Sequence, residues 1–103
     1  MNRSFVPALA GLALLVAADA AGAADANLGR DVAANCATCH GTDGKSRGPV
    51  PSLAGQDRAY IVQQMKDFRD GKRPSTIMQQ LAKGYTDAEI DAAAMYFAAQ
   101  KTN

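Results

Sequence analysis

Cys36-Ala37-Thr38-Cys39-His40 places two thiols three residues apart with an imidazole directly behind them. Each thiol can add across one vinyl group of a haem, and the adjacent histidine can reach the iron from the same turn. This is the C-x-x-C-H pattern of covalent haem attachment. The spacing matters because both thioethers must sit on one edge of the porphyrin while the imidazole reaches over its face. Cys36 and Cys39 are the only cysteines among the 103 residues, and His40 is the only histidine. Other chemistries suit the pentapeptide less well. A structural zinc site takes four Cys or His ligands, and the chain offers three. A redox-active thiol pair belongs in a βαβ context, and no strand-like alternation lies nearby. A disulfide closing so short a loop would constrain little of the unfolded chain. Haem is the reading adopted, with a thiol redox pair as the alternative.

His40 fills only one face of such an iron. With no second histidine, methionine is the natural sixth ligand, a pairing that raises the reduction potential. Downstream of the motif the chain offers Met65, Met78 and Met95. Met65 shares an apolar stripe with Ile61 and Phe68, and Met95 flanks the inner face of the last helix, so both suit packing. Met78 follows a helix break, where a loop can carry its sulfur to the open face. Met78 is therefore the favoured ligand and Met65 the alternative.

The elements that must position these residues read as helices. Asn27 suits an N-cap for a first helix running toward the motif, with Leu28, Val32 and Cys36 at i, i+4 and i+8 on one face. A Gly-rich stretch from Gly41 to Gln56, broken by Pro49 and Pro51, has neither a helical nor a strand period. Loops of that length in small domains are usually functional. A second long helix is predicted from Asp57 to Asp70, with Tyr60, Ile61, Gln64, Met65 and Phe68 in one stripe and Gly71 at its end. One short helical turn precedes Gly84. Thr86-Asp87-Ala88-Glu89 is a capping box opening a C-terminal helix with Ile90, Ala93, Ala94 and Phe97 inward. The fold class is all-α, with three main helices and irregular loops.

The first 23 residues read as an export signal. Arg3 supplies a positive charge, an apolar run extends from Phe5 to Ala18, and both Ala18-Asp19-Ala20 and Ala21-Gly22-Ala23 fit a small-residue cleavage pattern, with cleavage after Ala23 expected. The run is shorter than the about 20 residues of a spanning helix, so no membrane anchor is expected after cleavage. Residues 24–103 then form one domain, small enough to need a staple such as a bound prosthetic group. Its charge stays near the +1 of the whole chain, and two haem propionates would bring it to about −1. No basic excess of the kind that marks nucleic-acid binding is present. Lys45, Arg47, Lys72, Arg73 and Lys83 lie in or beside the loops and read as a possible basic rim.

An early C-x-x-C-H, a Gly/Pro loop, a methionine 38 residues beyond the histidine and a closing helix resemble class I cytochrome c over essentially the whole mature chain. The stretches Gly48–Gln56 and Ala82–Ile90 are similar to small periplasmic bacterial cytochromes. They match one half of dihaem carriers and the cytochrome subunit of flavocytochrome c sulfide dehydrogenase. This chain has one motif, hence one haem c. The resemblance implies that the Pro51 carbonyl accepts a hydrogen bond from His40, that Leu53 packs on the haem, and that Gly29 lets the first helix cross the last near Tyr96 or Phe97. It also implies a periplasmic electron carrier with no substrate of its own. Its partners would be redox proteins, such as a terminal reductase or oxidase, or a flavoprotein dehydrogenase to which the chain would be a subunit.

Overall fold

The computed structural model describes residues 27–102. The export signal and its cleavage after Ala23 lie outside the described residues. Five helices follow one another: α1 over residues 27–34, α2 (Ala37–His40), α3 (Arg58–Arg69), α4 (Met78–Ala82) and α5 (Asp87–Ala98), with one 3-10 turn at Thr42–Gly44. No strand occurs among the described residues.

Local side-chain chemistry sets most of the helix ends. The Asp57 carboxylate accepts from the Tyr60 amide at 3.2 Å and opens α3. At the other end the chain leaves through Asp70 and then Gly71, whose φ of 75° closes the helix. Thr86 and Glu89 form the reciprocal capping box of α5, at 3.1 and 2.8 Å. The expectation for Asn27 fails, because the chain is already helical at that residue. A residue that already has helical geometry is not the cap.

α3 packs along α5, and Arg58–Asp91 (2.9 Å) and Arg69–Asp87 (2.6 Å) bridge the pair on the outside. These side chains are largely exposed, and such pairs contribute little. The interior is formed by Val32 and Ala33 of α1, Ile61 of α3, and Ala93, Ala94 and Phe97 of α5, with Leu28, Leu53 and Val62 against them. Alanine dominates it, and among the described residues no large side chain is fully buried. α1 reaches α5 at Gly29. A Cβ there would lie 2.6 Å from the Ala92 carbonyl oxygen and 3.6 Å from the Tyr96 Cβ, so only a glycine allows this approach.

Alanine is the better helix former by about 1 kcal/mol, yet Gly29→Ala should lower stability, because backbone atoms of α5 must give way. A net loss of about 1–3 kcal/mol, the usual range for overpacking, is the expected outcome in denaturant titration of the purified protein.

Candidate functional site

The motif sits where α1 tightens and stops. The Asn35 and Cys36 amides donate to the Val32 and Ala33 carbonyls, each at 3.0 Å, three residues back rather than four. Cys36 then caps α2, and the His40 amide donates to the Cys36 carbonyl at 2.9 Å. One helical turn thus carries Cys36, Cys39 and His40 at i, i+3 and i+4, positions that share a face. All three line a cavity of about 440 Å³, within the usual range of cofactor pockets, about 300–1,000 Å³.

The loop that follows is folded back to hold the imidazole. His40 Nδ1 lies 2.7 Å from the carbonyl oxygen of Pro51. A carbonyl can only accept, so Nδ1 carries the proton, and in the neutral ring the lone pair then sits on Nε2. Such a bond sets the orientation of a ligating histidine and raises its basicity. Pro51 reaches this place because the loop is cinched at Gly44, whose carbonyl accepts from the Leu53 and Ala54 amides at 2.8 and 3.1 Å. Gly44 has a φ of 78°, and a Cβ there would meet the Phe97 ring at 2.8 Å. Beside it Asp43 adopts a left-handed φ of 55° without being glycine. Its carboxylate accepts from the Tyr96 hydroxyl at 2.6 Å, joining the loop to α5.

The rest of the wall is apolar. The predicted α3 stripe of Tyr60, Ile61, Gln64, Met65 and Phe68 faces the cavity, as do Ile90, Ala93 and Phe97 of α5. Tyr60, Ile77 and Leu81 are large apolar side chains at 51%, 55% and 45% exposure, and all three line this same cavity. A flat apolar ring seated there would cover them. Two free thiols, an imidazole with an available lone pair and two methionine sulfurs complete the wall. The donor set and the apolar lining therefore fit a covalently attached haem.

Pro51 and Leu53 also lie on the wall, with Leu53 half-buried against the core. Met65 and Met78 both face the cavity, whereas the exposed Met95 does not. Met78 is the first residue of α4 rather than part of a free loop, because the Ser75 hydroxyl accepts from the Gln79 amide at 3.0 Å and helps start that turn. Burial, and after it the neighbouring Cys39, push the Cys36 thiol up from its ordinary pKa. Redox-active thiols are shifted the other way, which counts against the thiol redox alternative. A second, wider groove lined by α2 and the loop after it is polar and open, with Lys45 and Arg47 on it. Sequence reasoning missed Ile77, Leu81 and Tyr85 as wall residues, since Leu81 sits in a helix of five residues, too short to show periodicity, and Ile77 and Tyr85 flank it; it counted Arg73 as a rim charge.

The family model described as Cytochrome c matches residues 26–101. The chain belongs to the cytochrome c family. It is 44% identical over 102 residues to cytochrome c4 of Pseudomonas aeruginosa, covering 98% of this chain and 50% of that protein. It is 46% identical over 69 residues to the cytochrome subunit of sulfide dehydrogenase of Chlorobaculum tepidum, covering 67% and 63%. The solved cytochrome c4 of Acidithiobacillus ferrooxidans superposes with a TM-score of 0.59 at 46% identity, over 61% of this chain and 37% of that one. The chain spans about half the length of the cytochrome c4 relatives it matches. Covalent haem c is the family's cofactor, and both cysteines of this cytochrome stand on the wall of the apolar cavity.

The Tyr96–Asp43 bond ties the loop beside His40 to α5, and it holds the phenol above its ordinary pKa, chiefly through the hydrogen bond itself. A group whose pKa is raised on folding stabilises the fold below its unfolded value and loses that contribution as the pH rises through the folded value. Tyr96→Phe should therefore lose about 0.5–1.5 kcal/mol at neutral pH, and the difference from wild type should shrink above the ordinary tyrosine value of 10.0. Paired denaturant titrations at neutral and strongly alkaline pH measure both effects.

Proposed function

We propose that this cytochrome is a one-electron carrier of the bacterial periplasm, with residues 1–23 removed on export. One haem c would be held through Cys36 and Cys39, with His40 and Met78 as the residues that would ligate its iron. The observation that carries this reading is the convergence of Cys36, Cys39, His40 and Met78 on a single apolar cavity. A family match that begins at residue 26, just past the proposed cleavage, supports the domain boundary.

When bound, haem c supplies an iron that exchanges one electron at a potential set by its axial ligands and surroundings. The chain's residues do the rest. Cys36 and Cys39 would fix the group's position, and the Pro51 carbonyl engages Nδ1 of His40, which leaves Nε2 to ligate the iron. Ile61, Phe68, Leu81 and Phe97 exclude water from the ring faces. With His40 and Met78 both supplied to the iron, no place would be left for a small substrate, and the chain would act only through redox partners. A second reading, an electron-accepting subunit bound to a dehydrogenase, is favoured by the similarity to the Chlorobaculum tepidum sulfide dehydrogenase subunit. Persistent co-elution with a flavoprotein at high salt would select it.

Met78 is the test of the closed iron. Met78→Ala should erase the weak long-wavelength sulfur-to-iron band of the oxidised protein, lower the potential and admit carbon monoxide. Met65→Ala should leave the band in place and lose packing, by less than the about 2–5 kcal/mol of a fully buried methionine, since Met65 is only partly buried. Loss of the band in Met65→Ala instead would move the ligand to α3.

A further inference from the structure

Apart from His40, Arg73 is the one ionisable cation on the wall of the haem cavity. Its place in the chain suggests a loop cation like the lysines, but the fold turns it inward. Its guanidinium carbon lies 4.6 Å from the centroid of the Phe68 ring, and one of its N–H groups donates to the Gln64 side-chain oxygen. Both partners stand on α3, four residues apart, so the guanidinium lies along the cavity-facing side of that helix. The backbone holds it there as well. The Lys72 and Arg73 amides both donate to the Asp67 carbonyl, at 2.8 and 3.2 Å.

Arg73 has no carboxylate partner among the described residues. Arg30, Arg58 and Arg69 each pair with an aspartate, and the nearby Asp67 carboxylate accepts from Gln63 instead. A half-buried guanidinium facing an apolar cavity is unfavourable unless an anion meets it there. A haem brings its own anions, the two propionates. We propose that Arg73 binds a haem propionate through charge-assisted hydrogen bonds, with Phe68 and Gln64 positioning the guanidinium. The planar fork of arginine matches a carboxylate as the point charge of a lysine does not. The reduced dielectric of the cavity strengthens the pair relative to water. The proposal rests on the reading that this cavity holds haem c.

The pair has a spectroscopic and an electrochemical consequence. The propionate-bending band in resonance Raman spectra responds to hydrogen bonding at the carboxylate, and an unpaired propionate adds negative charge near the iron that favours the oxidised state. In the exported holoprotein, Arg73→Gln should shift that band and lower the midpoint potential in an equilibrium redox titration. Arg73→Lys, which keeps the charge and loses the fork, should also shift the band while holding most of the potential. An unchanged band in Arg73→Gln overturns the proposal. If that variant does not accumulate with haem, Arg73→Lys decides alone, and an unchanged band there overturns it equally. A wild-type protein without covalent haem would instead defeat the reading of the cavity, an outcome visible before any variant is made.

Discussion

A single helical turn carries the constraint on which the rest of this structure depends. Cys36, Cys39 and His40 must present two sulfurs and one nitrogen to the same flat group, and α2 does so by placing them at i, i+3 and i+4. The end of α1 tightens just before the motif so that this turn can start at Cys36. The loop after it then returns Pro51 to the outer nitrogen of the imidazole, at 2.7 Å. Gly44, with its positive φ and its carbonyl shared by Leu53 and Ala54, is what makes the return short enough.

The interior makes the same point from the side of stability. Three helices of this length, packed through Val32, Ile61, Ala93, Ala94 and Phe97, bury little large apolar surface. The larger groups, Tyr60, Phe68, Ile77 and Leu81, surround the cavity rather than filling it. A domain this small depends on a staple, and a covalently held ring contacting α1, α3, α4 and α5 at once would serve as one. The ion pairs between α3 and α5 are surface features and do not replace it.

What the sequence made legible was local. The motif, the capping box at Thr86 and Glu89, and the α3 stripe each depend on spacings of three or four residues, which a helix converts directly into shared faces. The all-α architecture and the approach at Gly29 followed from the same reading and its family resemblance. The contacts that were not legible span distant parts of the chain. Nothing near Asp43 marks it as the acceptor for Tyr96, 53 residues on. Arg73 looked like another loop cation because its partners, Gln64 and Phe68, lie on the preceding helix, and the turn through Gly71 decides which way it faces. Asparagine favours caps, which points to Asn27 as the cap of α1, but a helix also accepts asparagine in its interior at a modest loss of propensity.

The central claim is that the fold is organised around a haem held by the two thioethers. Far-ultraviolet circular dichroism of the exported Cys36→Ala/Cys39→Ala chain, measured beside the wild-type holoprotein, tests it most directly. The account predicts a chain that lacks covalent haem and most of its helical signal, with no cooperative thermal unfolding. A haem-free chain with wild-type helix content and a cooperative transition would contradict it.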